Sequence, residues 1–151
     1  MKYIPLKSEH VAQVAKLEAE CFSMPWSEKS ISSEITNPLA FWLVAVDGDA
    51  VAGYVGSQSV MGEADMMNIA VAPAYRRTGV AKTLVEKLIL GLQERDVHCL
   101  TLEVRSSNNA AISLYEKMGF DQIGRRPNYY SAPKEDALIL RKEWACENSC
   151  N

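Results

Sequence analysis

Apolar residues along this chain recur with two periods, and the changes between them mark the elements. Tyr3-Ile4-Pro5-Leu6 reads as a short strand, and Pro5, which has no N–H for a ladder, assigns it to a sheet edge. Ser8 is placed to cap a helix in which Val11, Val14, Ala15, Leu17 and Ala19 recur at helical spacing. The segment Ser23-Met24-Pro25-Trp26-Ser27 interrupts that pattern. Ser27 is placed to cap a second, shorter helix through Glu34, with Glu28 in its first turn, and Asn37-Pro38 stops it. Apolar runs then take over: strands at 41–46 and 51–57 flank Asp47-Gly48-Asp49, a hairpin signal. A third apolar run at 66–71 ends at Ala72-Pro73.

The second half repeats the alternation of strand and helix. Val80, Ala81, Leu84, Val85, Leu88, Ile89 and Leu92 form the stripe of a helix that opens at Gly79 and runs to about Arg95. A strand is predicted at 97–104, and a helix at 108–118 with Gly119 as its terminating residue. Strands at 120–124 and 137–140 close the chain, separated by an aromatic loop, Pro127-Asn128-Tyr129-Tyr130. A central strand-helix-strand unit requires a parallel pair, whereas the hairpins require antiparallel neighbours. The expectation is one α/β domain over residues 1–145 with a mixed sheet, followed by a polar tail at 146–151.

Composition narrows the function classes. A net charge of -3 and a pI near 5.4 argue against nucleic acid as a direct partner. No apolar run approaches the ~20 residues of a membrane span, and the N-terminus lacks a signal layout, so a cytoplasmic protein is expected. Four cysteines with no C-x-x-C pair, and only two histidines, predict no metal centre and reduced thiols. The oligomeric state stays open, and a monomer fits the pattern.

Against that acidic background stands a local cationic island. Arg76-Arg77-Thr78-Gly79-Val80-Ala81 links the 66–71 strand to the long helix, Lys82 follows, and no Asp or Glu occurs from Met66 through Val85. Unpaired N–H groups at a helix start, with the helix dipole, suit a phosphate. The spacing is neither that of a triphosphate loop nor that of a dinucleotide fold. On the hexapeptide alone, an ordinary helix start after a surface turn with solvated arginines comes ahead of a phosphate site.

Three further residues carry two readings each. In Leu100-Thr101-Leu102-Glu103-Val104-Arg105, alternation puts Thr101 and Glu103 on one face, and Glu103 near a C-terminal strand end, where α/β sheets place ligands. It is either a solvated glutamate or a general base. Tyr115 shares a helical stripe with Ala111, Leu114 and Met118, and is either a core residue or an acid for a departing thiolate. Asn108 is either a helix cap or an amide partner for a ligand.

The spacing Arg-x-x-Gly-x-Ala at 76–81 resembles the pyrophosphate loop of the GCN5-related N-acetyltransferases (GNAT). The run from Leu102 to Phe120, with Asn68-Ile69-Ala70-Val71, Pro25-Trp26-Ser27 and Arg125-Arg126-Pro127-Asn128-Tyr129-Tyr130, is similar to the bacterial ribosomal-protein alanine N-acetyltransferases. These segments span residues 25 to 130. The resemblance implies a GNAT-like domain, a mixed, mostly antiparallel sheet with a central parallel strand pair flanked by helices. It further implies acetyl-CoA as co-substrate, the backbone of Ile69, Ala70 and Val71 along the acetyl-pantetheine arm, and Arg76, Arg77, Thr78, Gly79, Val80, Ala81 and Lys82 around the pyrophosphate. Asn108 would contact the coenzyme, Glu103 would be the base, Tyr115 the acid, and Trp26, Tyr129 and Tyr130 would meet the substrate. The implied reaction acetylates the N-terminal alanine of a ribosomal protein by direct transfer. Ala81 stands where many relatives have glycine, and Pro127 precedes the Asn-Tyr-Tyr loop. Another N-terminus, a lysine, a small amine, or a non-catalytic acetyl-CoA-binding module are the alternatives.

Overall fold

Residues 1–144 are described by a computed structural model. In chain order they form β1 (Lys2–Pro5), α1 (Val11–Cys21), α2 (Glu28–Ile35), β2 (Ala40–Asp47), β3 (Ala50–Val60), β4 (Glu63–Val71), α3 (Val80–Glu94), β5 (Cys99–Arg105), α4 (Asn109–Lys117), β6 (Asp121–Tyr130) and β7 (Glu135–Glu143). The strands make one seven-stranded sheet ordered β1-β2-β3-β4-β5-β7-β6. Every neighbouring pair is antiparallel except β4 and β5. Cys146 and Cys150 lie outside the described residues, as does the rest of the tail.

The sheet separates two cores. On one side α3 and α4 bury Leu84, Leu88, Leu92 and Tyr115 against Leu100, Leu102 and Val104 of β5. On the other, α1 and α2 bury Val14, Leu17 and Ile31 against Trp42, Val44 and Tyr54 of β2 and β3. Close approach is built in where Gly56 lies against the Trp42 indole: an added Cβ would stand 2.3 Å from the ring.

The parallel pairing is short. Only Glu63, Ala64 and Asp65 of β4 pair with Cys99, Leu100 and Thr101 of β5. Beyond that point β4 runs on to Val71 and β5 to Arg105 without pairing each other, so the sheet forks. A bulge sits at the same place: Gly56 pairs Asn68 while Ser57 pairs Met66, leaving Met67 as an extra residue. Met66 packs into the α3–α4 core and Met67 into the α1–α2 core, and Asn68 also turns its side chain toward α1. A bulge that re-aims side chains is common beside functional sites.

Three expectations need correction. Ser8 does not cap α1. It lies in a short 3-10 turn, Ser8–His10, closed when the Lys7 N–H donates to His10 Nδ1 at 3.0 Å, so the α-helix starts at Val11. The third central strand begins at Glu63 rather than near Met66, because Met61 and Gly62, at φ 52° and 82°, turn β3 straight into it. Residues Pro127–Tyr130 are the end of β6, not a loop. Asn128 adopts φ 53°, its N–H donates to Asp136 Oδ1 of β7 at 2.8 Å, and the register skips between Arg126 and Tyr130. The segment is therefore a bulged strand. Ser27 does cap α2, accepting the Ser30 N–H at 3.1 Å.

Candidate active site

The fork between β4 and β5 opens toward the N-terminus of α3. There Gly79, at φ 84°, precedes the helix, and Arg77 also lies left-handed at φ 64°. The α3 ladder starts with the Thr83 N–H on the Gly79 carbonyl at 3.0 Å, so the N–H groups of Val80, Ala81 and Lys82 precede it. Nothing lies within 4 Å of where a Gly79 Cβ would be; the glycine serves the left-handed turn and leaves room in front of these amides. Thr78 Oγ1 donates to the Tyr75 carbonyl, fixing the turn from below. The two arginines differ. Arg76 folds back, donating Nε to the Val71 carbonyl at 3.1 Å and an amino group to Cys21 Sγ at 3.7 Å, whereas Arg77 makes no ion pair among the described residues. Lys82 is exposed and pairs loosely with Glu86 at 4.0 Å.

Ile69, Ala70 and Val71 lie on the β4 arm of the fork, where the edge facing β5 has no strand partner. On that edge the Val71 carbonyl is taken by Arg76 Nε, and the remaining N–H and C=O groups are the strand-like surface an extended ligand arm can use.

Glu103 is on the β5 arm. Its neighbours Leu102 and Val104 enter the α3–α4 core, so by alternation Glu103 faces the α1 side, where α1 and α2 cover β2 to β4 but not β5, β7 and β6. Arg126 of β6 donates Nε to Glu103 Oε1 at 3.0 Å. Tyr129 also hydrogen-bonds Glu103; that bond, with some burial, raises the Tyr129 phenol above its ordinary range. Burial first, then the Glu103 charge, pushes Tyr130 up to about 12, and Arg105 lies over the Tyr130 ring at 4.3 Å. The bulge at Asn128 thus brings Tyr129 and Tyr130 beside Glu103.

Tyr115 approaches from the opposite face. Its ring is buried edge-on to Phe120 at 5.4 Å, and its hydroxyl points to Met66 Sδ at 3.9 Å, at the first β4 residue beyond the paired segment. Burial pushes its phenol up to about 12. The core reading and the functional reading of this residue are both compatible with that position. Asn108 caps α4, accepting the Ala111 N–H at 3.2 Å through Oδ1, which leaves its amide nitrogen for another partner.

The site holds three residues the sequence reading passed over. Asp65 and Arg126 flank Glu103 and carry no signal of their own in the sequence. Glu18 does: it falls on the α1 stripe of Val11, Val14, Leu17 and Cys21, where a carboxylate is out of place. It is fully buried, with Oε1 accepting from Asn68 Nδ2 at 2.7 Å and Oε2 from the Trp26 N–H at 3.5 Å. Burial, then the neighbouring Glu18, drives the Tyr54 phenol far above its ordinary value. Trp26 itself packs edge-on against Trp42 at 5.3 Å, so Glu18 ties the α1–α2 segment to the bulged part of β4. Glu18→Ala should cost about 3 kcal/mol, by leaving these donors unpaired above a cavity. The melting temperature should fall by about 6–12 °C, read by thermal denaturation.

The sequence model of the acetyltransferase (GNAT) family matches residues 11–120. A Bacillus subtilis (strain 168) protein described as a putative ribosomal protein bS18-alanine N-acetyltransferase is 39% identical over 136 residues, covering 89% of this chain and 90% of the relative. The crystal structure of the ribosomal-protein-S18-alanine N-acetyltransferase from Escherichia coli superposes with a TM-score of 0.86 at 36% identity, over 97% of each chain. A chain from the NatC complex bound to Gag peptide and CoA superposes with a TM-score of 0.81 at 27% identity, over 95% of this chain and 98% of that one.

Proposed function

This chain belongs to the acetyltransferase (GNAT) family, and from that premise we propose that it acetylates the N-terminal α-amine of a ribosomal protein that begins with alanine, using acetyl-CoA. The observation that carries the reading is the fork: an unpaired β4 edge with a cationic, glycine-opened helix start at one end and a carboxylate on the opposite face. The amides of Val80, Ala81 and Lys82, with Arg77, suit a pyrophosphate. The edge of Ile69 to Val71 suits an amide-rich arm, and the Asn108 side-chain amide offers one more donor. The relatives' names supply the substrate class.

The peptide is expected on the Glu103 face, with Trp26, Tyr129 and Tyr130 lining its approach. Glu103 takes the proton that the ammonium must lose, directly or through one water. A peptide α-amine titrates near ~7.7–8.0 and a lysine near ~10.4, so a lysine is harder to deprotonate by roughly 3.5 kcal/mol at about 1.36 kcal/mol per unit. One carboxylate therefore favours a chain terminus. A β4 N–H near Val71 stabilises charge gathering on the thioester oxygen, and Tyr115 donates to the departing sulfur. Transfer is direct: Cys99 is buried on β5 with its thiol pushed up by burial, a poor nucleophile.

The test is coenzyme thiol release with peptides beginning in alanine, serine or methionine, and with an N-blocked lysine peptide. Alanine should give the highest kcat/KM and the blocked lysine the lowest. Preference for the lysine peptide overturns the α-amine assignment, and thiol release with none of them would leave a non-catalytic binding module.

A further inference from the structure

The strand rows place Arg126 unusually well. Arg126 pairs Ala137, and Ala137 pairs Arg105; two rows back, on the same face, Gly124 pairs Ile139, and Ile139 pairs Glu103. In the Arg126 row only an alanine methyl stands on β7 between β6 and β5, so a long β6 side chain can lie across that strand. Arg126 does so and reaches Glu103 at 3.0 Å. From the other side Asp65, the last β4 residue paired to β5, lies next to Glu103 in the sheet, since its partner Thr101 is two residues before Glu103 on the same face. Burial, then the Glu103 charge, pushes the Asp65 carboxyl upward, as expected for two nearby like charges.

Among the described residues the charged and titratable groups on this face beside Glu103 are Glu63 and Asp65 from β4, Cys99 and Arg105 from β5, Asp121, Arg126, Tyr129 and Tyr130 from β6, and Glu135, Arg141 and Glu143 from β7. Arg105 is engaged by Glu135 at 3.5 Å and Arg141 by Glu63 at 3.0 Å. Arg126 is the cation paired to Glu103.

We infer that Arg126 and Asp65 are positioning residues for Glu103: the guanidinium holds the carboxylate at the mouth of the fork, and Asp65 opposes it from β4. This rests on the reading of Glu103 as the base. Arg126 donates through a fixed planar fork, so lysine would keep the charge and lose the aim.

The test is a carbon-13 titration of the glutamate carboxyls in the full chain without substrate, with the Glu103 resonance identified by its loss in Glu103→Gln. Arg126→Gln should move the Glu103 midpoint up, the half-exposed guanidinium being partly screened by water. Asp65→Asn should move it down, and Arg126→Lys should restore most of the Arg126→Gln shift. The acid limb of kcat should move in step. A midpoint unmoved in Arg126→Gln overturns the inference, and one unmoved in Asp65→Asn overturns the part given to Asp65. The titration needs no turnover, so failure of the acetyl-transfer reading would show in the peptide assay and not here.

Discussion

Replacing Glu103 by glutamine should slow acetyl transfer by about 10²–10⁴-fold, the range a positioned general base contributes. Acetyl-CoA affinity should hold, because the groups proposed for the coenzyme are the α3 turn, the β4 edge and Asn108, none of which bonds Glu103. Glutamine keeps the length and can still accept from Arg126 and Tyr129, so the surrounding side chains have no reason to repack. What it loses is the ability to take a proton. The deficit should therefore shrink as pH rises and the α-amine, which titrates near ~7.7–8.0, deprotonates unaided. Steady-state thiol release between pH 6 and 9, beside calorimetric titration with acetyl-CoA, checks both halves. Turnover equal to that of the unsubstituted enzyme at pH 6.5 would remove Glu103 from the base role. Loss of coenzyme affinity would show that the substitution had disturbed the fork.

Much of this site was legible because period and punctuation agree along most of the chain. The α3 stripe, the Gly79 start and the alternation around Glu103 each follow from local rules, and the structure places all three as read. Ser27 and Asn108 cap because short polar side chains before a helix have few better options. The misreadings have two causes, local competitors and partners on neighbouring strands. Ser8 lost the cap to an imidazole two residues on, which closes a tighter turn. Pro127 and Asn128 carry turn chemistry, yet Asp136 from the neighbouring strand holds them in a bulged ladder. Arg126 meets Glu103 across an intervening strand, a relation no window on the sequence contains. Glu18 is the exception, since its place on an apolar stripe was visible before its partners were.

Tyr115→Phe should lower kcat by about 10²-fold or more, the lower end of what an acid in place contributes, with little loss of stability at neutral pH. The substitution removes one hydroxyl whose neighbour is a methionine sulfur at 3.9 Å, and keeps the ring against Phe120. A purely structural tyrosine predicts the reverse, a stability loss with turnover intact. Burial pushes the phenol up to about 12, while a free thiol titrates near ~8.5. Measured against water that gap opposes proton transfer to sulfur. The opposition weakens in the fork, because dry surroundings raise a thiol as well, as burial does to Cys99. The raised value also keeps the donor loaded, so Tyr115 causes no alkaline loss of activity until near pH 12. It has a consequence for stability. The folded chain holds this proton more tightly than the unfolded chain, whose phenol titrates near ~10. Below that pH both states carry it and its contribution is constant. As pH rises through about 12 that contribution is lost. Tyr115→Phe should therefore flatten the alkaline fall in stability that Tyr115 causes, leaving the share due to Tyr54, Tyr75, Tyr129 and Tyr130, which are raised as well. Denaturant melts of both proteins at pH 8 and pH 11, beside kcat at pH 8, separate the roles. Unchanged kcat with a large loss of stability at pH 8 would return Tyr115 to the core and leave the departing thiolate without a side-chain acid.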